Sequence, residues 1–344
     1  MIRPETFGSA PLVAVIDPMH PAGLARLGEM ARVVYLPDQT PATHEAALAE
    51  AAAIVVRTFR VDDARLAAAG RLALVVKHGA GTDNIDIPAA SRRGILVANT
   101  PGHASGAAVA EGAVALMFAV LRRVPEMDRL VREGRYQARW NIALGDLSER
   151  RVGLVGFGRI ARHVARMCRD GFGAQVAAHD PHVPPGAIEA AGVACAPTIA
   201  ALAARSDILS LHAPLTPETH HLIDKVVLGA LPRGAVVVNT ARGGLIDEAA
   251  LTRALCEGRL GGAGLDVQDP EPPAPDNPLL ALPKVVFSPH TAGLTEASLR
   301  AMSLDVADVL AQMFAGDCPA TAINREVWSR AIARHRGIQK GKRP

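Results

Sequence analysis

The chain has 344 residues, of which 49% are hydrophobic, 21% charged and only 3% aromatic. That composition excludes a disordered chain, and the length suits about two domains, each able to bury its own core. Lys and Arg outnumber Asp and Glu by 37 to 34, but the excess is local. Arg330, Arg334, Arg336, Lys340, Lys342 and Arg343 lie in a stretch without acids, and the rest of the chain is net acidic, 31 against 34. A basic tail over 331–344 with no aromatic platform argues against nucleic-acid binding. Cys168, Cys195, Cys256 and Cys318 form no CxxC pair, which points to reduced thiols and a cytoplasmic setting. Leu12–Ile16 is too short for a signal-peptide core. Gly112–Leu121, the longest apolar run, falls short of the roughly 20 residues that span a bilayer.

In chain order, short apolar runs alternate with Ala-rich helical stretches. Leu12–Ile16, Val33–Leu36, Ala53–Val56, Leu74–Val76 and Leu96–Ala98 read as strands buried on both faces of a parallel sheet. A helical stretch follows over Ser105–Leu121, then a polar segment, Arg122–Arg150, containing Trp140. The alternation restarts with strands expected at Val152–Val155, Gln175–Ala178, Ile208–Leu211, Val236–Asn239, Ala263–Asp266 and Val285–Phe287. Ile160–Arg169 and Glu248–Glu257 read as helices among them. Two βα series predict two doubly wound α/β domains. The Pro-rich run from Asp269 to Pro275 must be a loop, because proline lacks the donor that helix or central strand requires.

The second series opens on a dinucleotide fingerprint. Strand residues up to Val155 run into Gly156-Phe157-Gly158-Arg159-Ile160-Ala161, and a helical pattern continues. Gly156 permits the tight turn, Gly158 the close approach of a pyrophosphate, and Ala161 the packing of helix on strand. Asp180 ends the next strand, 22 residues after Gly158. Its carboxylate suits the ribose hydroxyls and repels a 2′-phosphate, so the expected cofactor is NAD. A glycine-rich turn and an ordinary surface acid are the plainer alternatives.

Three later strands run into titratable residues: Arg242 before Gly243-Gly244, Asp266 and Glu271 in the Pro-rich segment, and His290 before Thr291-Ala292-Gly293. Other motifs precede or separate them: His78-Gly-Ala-Gly-Thr-Asp-Asn-Ile-Asp86, Asn99-Thr-Pro-Gly102, Val109-Ala-Glu111 and Leu211-His-Ala-Pro-Leu215. From about Ala53 to Arg325 this ordered set closely resembles the D-isomer-specific 2-hydroxyacid dehydrogenases, phosphoglycerate dehydrogenases and glyoxylate/hydroxypyruvate reductases among them. The residue types suit that chemistry. An arginine offers a bidentate fork to a substrate carboxylate and carbonyl. A histidine supplies a proton near neutral pH, and a carboxylate beside it holds its orientation. The resemblance assigns these roles to Arg242, His290 and Glu271.

The resemblance also implies a Rossmann NAD domain, 103–292, inserted into a flavodoxin-like substrate domain, 1–102 and 293–330. It implies cofactor contacts from the fingerprint residues, Pro214, Thr219, Ala241 through its backbone, Asp266, Ala292 and Gly293. Asp266 could instead cap a local turn. The amides of Ala80 and Gly81 would hold the substrate carboxylate, and Arg57, with Arg60, either reads a phosphate or is solvated. His212, His220 and His221 read as structural or exposed. The helix at Ser105–Leu121 and the arm after it imply a homodimer. The implied reaction interconverts a small anionic 2-keto acid and a D-2-hydroxy acid, as in glyoxylate/hydroxypyruvate reductases, with D-3-phosphoglycerate dehydrogenase and an NAD-sensing corepressor as alternatives. A serine-sensing regulatory domain is not expected. Gln268, where the family often has an aromatic residue, the segment His103–Val109 and Gly112 depart from the pattern.

Overall fold

The computed structural model describes residues 10–101 and 103–339. The chain divides into two compact units, Met1–Ser105 with Thr295–Pro344, and Gly106–Leu294. Each is α/β and built on one parallel sheet.

The first unit carries β1 (Leu12–Val15), β2 (Arg32–Tyr35), β3 (Ala53–Val56), β4 (Leu74–Lys77) and β5 (Leu96–Asn99), ordered β2-β1-β3-β4-β5. This flavodoxin-like order changes direction between β1 and β3. Successive strand residues point to opposite faces, and both faces are covered. Val13, Val15, Val55, Val76 and Leu96 join one core with Val306, Leu310 and Met313 of the helix Glu296–Ala315. Ala14, Ile54, Val56, Val75 and Val97 join another with Leu48, Leu66 and Ala89. Thr40, Asp62, Asp86 and Thr295 cap their helices by accepting a first-turn amide.

The returning chain is fastened to the edge strand β5. Asn324, 3% exposed, accepts from the Val97 amide at 2.7 Å and donates to the Ile95 carbonyl at 2.9 Å. The expected tail from 331 is corrected here: Trp328–Gln339 is a helix, with Ala331, Ile332 and His335 buried. Arg330 and Arg334 donate to the carbonyls of Ser91, Arg92, Arg93 and Leu72. They satisfy a helix C-terminus instead of forming a solvated basic tail. Lys340, Lys342 and Arg343 lie outside the described residues, as does Gly102.

The second unit carries β6 (Arg151–Val155), β7 (Gln175–His179), β8 (Ala194–Cys195), β9 (Ile208–Leu211), β10 (Val236–Asn239), β11 (Gly262–Leu265) and β12 (Val285–Phe287). Their order, β12-β11-β10-β9-β6-β7-β8, is the Rossmann arrangement with one added strand. It switches direction between β6 and β9. β8 has no counterpart in the sequence reading, because two residues paired only with Ala177 and Ala178 leave no periodicity. The segment read as polar folds into a helix, Val124–Arg132, and a 3-10 turn, Tyr136–Asn141. Its Arg139 guanidinium lies over the exposed rings of Tyr136 and Trp140. No helix among the described residues is long and apolar enough to cross a membrane.

Candidate active site

At the carboxyl end of β6 the fingerprint becomes geometry. Gly156 has φ +89, and a Cβ there would sit 2.9 Å from the His212 carbonyl, so only glycine fits. A Cβ on Gly158 would meet nothing within 4 Å, which leaves the backbone open to a ligand. The helix Arg159–Arg166 starts there with no side-chain cap, so its first amides are available to an anion. Ala161 is fully buried against the sheet, and Ile160 packs beside the same core. The Arg159 stem fits against the helix His103–Leu121 where Gly106 leaves room.

Phe157 faces inward. Its ring is fully buried with the Arg162 guanidinium 4.5 Å from its centroid, so only its backbone remains for cofactor contact. That amide donates to Asp180 at 2.8 Å, and the other Asp180 oxygen accepts from the His182 amide at 2.8 Å. The carboxylate is therefore fixed at the end of β7, next to the switch point. An uncapped helix start, an open glycine and a fixed carboxylate one strand away fit a dinucleotide with free ribose hydroxyls. Further along this edge, Thr219 donates to the Pro214 carbonyl at 2.7 Å and accepts from the Thr216 amide, which closes that loop.

β10, β11 and β12 deliver the titratable residues. After β10, buried Asn239 accepts from the Ala241 amide and donates to the Arg242 carbonyl, shaping the turn that carries Arg242. The Arg242 side chain donates to the Ala241 carbonyl at 2.6 Å. At Gly243 an added Cβ would collide with the Gln268 carbonyl at 2.1 Å, so the Arg242 turn lies directly against the Glu271 loop. Glu271 accepts from the Gln268 amide at 3.1 Å through one oxygen. Its other oxygen lies 2.9 Å from Nδ1 of His290. Burial alone would raise the Glu271 carboxyl. The hydrogen bond and charge of His290, the Gln268 amide and the Arg242 charge outweigh burial and hold it below its ordinary value. An ionised carboxylate only accepts, so Nδ1 carries the proton. Nε2 has no hydrogen-bond partner among the described residues.

Asp266, 1% exposed, builds the turn that presents His290. Its carboxylate accepts from the Ser288 hydroxyl and from the amides of Thr291 and Ala292, at 2.8 and 3.0 Å. Its carbonyl accepts the His290 amide at 2.7 Å, and His290 takes φ +55. The turn-capping alternative thus describes what this buried carboxylate does within the chain. Gly112 has a tertiary reason as well: a Cβ there would lie 2.7 Å from that of Ala292. At Gly293 an added Cβ would come within 3.0 Å of Val109.

The carboxyl edge of the five-stranded sheet holds the other candidates. Asp17 accepts from the amides of Arg57, Thr58 and Phe59 and from the Thr58 hydroxyl. Lys77, 7% exposed, donates to the Arg57 carbonyl and to Asn84, whose amide donates to the Phe59 carbonyl. Nη1 of Arg57 is buried without a partner. Burial pushes its guanidinium below the ordinary value, with the Asp17 charge opposing. Arg60 is exposed. Gly79, at φ +140, donates to Thr100, and Asn99 donates to the Ala80 carbonyl. The amides of Ala80 and Gly81 meet no acceptor among the described residues. His78 beneath them is pushed down to about 4 by burial, then by the Arg57 charge, and is neutral. His212 is likewise pushed down to about 4 by burial, while exposed His220 and His221 stack on each other.

Sequence reasoning missed Asp17, Lys77, Asn84, Asn239, Ser288 and Glu248. All but Asn84 and Glu248 are polar residues at or just past the end of an apolar strand, a signal that was available.

The family described as "D-isomer specific 2-hydroxyacid dehydrogenase, NAD binding domain" matches residues 114–292. A D-3-phosphoglycerate dehydrogenase of Mycobacterium tuberculosis is 39% identical over 317 residues, 92% of this chain but 59% of that protein. The chain thus spans about three-fifths of the length of such relatives. A glyoxylate reductase of Korarchaeum cryptofilum is 37% identical over 324 residues, covering 92% of this chain and 97% of its own. The solved NADPH-dependent glyoxylate/hydroxypyruvate reductase of Sinorhizobium meliloti, in complex with NADP and malonate, superposes with a TM-score of 0.81 at 33% identity. That match covers 92% of this chain and 97% of the other. The chain therefore belongs to the D-isomer specific 2-hydroxyacid dehydrogenase family, with its NAD-binding domain in the Gly106–Leu294 unit.

Proposed function

We propose that this protein catalyses the reversible NAD(H)-dependent interconversion of a small 2-keto acid and a D-2-hydroxy acid, as a glyoxylate/hydroxypyruvate reductase does. The observation that carries the reading is the grouping of Arg242, Glu271 and His290 on adjacent loops, with Glu271 on Nδ1 of His290 and under the charge of Arg242. The bound nicotinamide supplies or accepts the hydride. Arg242 presents its fork to the substrate carboxylate and carbonyl oxygens, stabilising the negative charge that develops there. His290 donates the Nε2 proton to that oxygen in reduction and takes it back in oxidation, while Glu271 holds the tautomer and balances the imidazolium. The amides of Ala80 and Gly81 receive the substrate carboxylate, a use that fits glycine-flanked donors without acceptors. Asp180 favours NADH over NADPH, and D180A is expected to narrow that preference about tenfold, the size of one charged hydrogen bond.

Rates of NADH and NADPH oxidation with glyoxylate, hydroxypyruvate, phosphohydroxypyruvate, pyruvate and a branched keto acid test the reading. It fails if none is reduced. D-3-phosphoglycerate dehydrogenase is the second reading, favoured by the buried, unpartnered Nη1 of Arg57, a donor suited to a second anionic group. The exposed Val131, Tyr136 and Trp140 on one arm support a homodimer, measurable by sedimentation. The free thiols of Cys168, Cys195, Cys256 and Cys318 support a cytoplasmic setting.

A further inference from the structure

The loop that carries Glu271 is poor in backbone donors. Pro270, Pro272, Pro273 and Pro275 have no amide proton to donate. The internal backbone bond found there runs from the Asn277 amide to the Ala274 carbonyl, beyond Glu271. Besides His290, which meets Glu271 itself, a side chain from outside takes up both ends of the loop. Glu248, the first residue of the helix Glu248–Cys256, accepts the Asp269 amide through Oε1 at 3.2 Å. Its Oε2 accepts from the Asn277 side-chain amide at 2.9 Å. The two bonds bracket Glu271 on both sides. Six residues earlier on the same segment is Arg242, followed by Gly243 against the Gln268 carbonyl.

We propose that Glu248 is a positioning residue, whose carboxylate ties both ends of the Asp269–Asn277 loop to the segment bearing Arg242 and thereby sets Glu271 against His290. This inference rests on the reading that Glu271 and His290 serve the reaction. A carboxylate is suited to the task because it offers two acceptor oxygens to two donors, and the start of a helix favours its charge.

The test compares wild type, E248A, E248Q and the double variant E248Q/N277D, by amide hydrogen exchange of the ligand-free protein and by steady-state kinetics. In E248A, exchange across residues 266–277 is expected to rise about tenfold while the rest of the second unit keeps its protection. Turnover, kcat, falls about tenfold, with KM and the NADH dissociation constant within about twofold, as for a misplaced catalytic group. E248Q keeps an acceptor for Asp269 but sets amide against amide at Asn277. The double variant restores that bond with donor and acceptor exchanged, and recovers most of the protection and turnover. Unchanged loop exchange in E248A, a loss of protection spread through the whole unit, or no recovery in the double variant overturns the proposal. A wild type inactive on every keto acid overturns the proposed function instead, and the exchange data still judge the clamp.

Discussion

At the carboxyl edge of the seven-stranded sheet, three carboxylates each meet partners brought from elsewhere in the chain. Glu271 meets His290, Asp266 takes up Ser288, Thr291 and Ala292, and Glu248 takes up Asp269 and Asn277. The corresponding edge of the five-stranded sheet is equally polar but incomplete. Asp17 and Lys77 shape the Arg57 loop, yet Nη1 of Arg57 is buried without a partner. A buried donor without an acceptor costs about 1–3 kcal/mol, so it persists where something else is gained. The contrast is between carboxylates whose oxygens are taken up and a guanidinium nitrogen left unmet; on the proposed function, the first set serves proton transfer and the second receives an anion.

The largest expected effect breaks the first set at its centre. H290A is expected to lower kcat by about 10²–10⁴-fold, the span of general acid–base catalysis, without weakening NADH binding measured by fluorescence. Retention of most turnover would remove His290 from its role. R242K keeps the positive charge and loses the planar fork, so kcat/KM is expected to fall by about 10²-fold in the same assay.

E271Q removes the charge that faces the imidazole, and a fall in kcat of about tenfold is expected. It also has a pH signature. The folded Glu271 carboxyl lies below its ordinary value of 4.5, because the bond and charge of His290 and its other partners outweigh burial. Its contribution to stability is thus present above the unfolded value and is lost as pH falls through the lower folded one. Urea melts should show wild type ahead of E271Q at neutral pH, with the gap closing on acidification. A gap that stays constant with pH would show that the ion pair is not its source.

The smallest effect probes the other edge. R57A is expected to cut kcat/KM for phosphohydroxypyruvate about tenfold more than for hydroxypyruvate if the orphan donor receives a second anion. Equal losses on both substrates would mean that Arg57 serves the loop and not the ligand.

Much of this was legible from local patterning. The fingerprint from Gly156 to Ala161 and Asp180 could be read because strand, turn, helix and acid follow one another along the chain. Arg242, Glu271 and His290 could be read from the order of their motifs. What was not legible depends on pairs distant in sequence. Nothing local reveals that Asp266 holds the turn of His290, that Glu248 reaches Asn277, or that Gly112 yields to Ala292. The segment after Trp328 misled for the same reason: its charges read as a solvated tail until Arg330 and Arg334 found the carbonyls of a distant helix.

The sequence by itself determined the two βα series, the cofactor loop and the residue types that suit hydride and proton transfer. These follow from periodicity, from the glycine positions and from side-chain chemistry, all properties of short stretches. Only the tertiary structure decided which carboxylate braces which loop and which donors remain unmet. Hydrogen bonds form between whatever the packed strands bring within about 3 Å, and that proximity is set by sheet order, not by spacing along the chain.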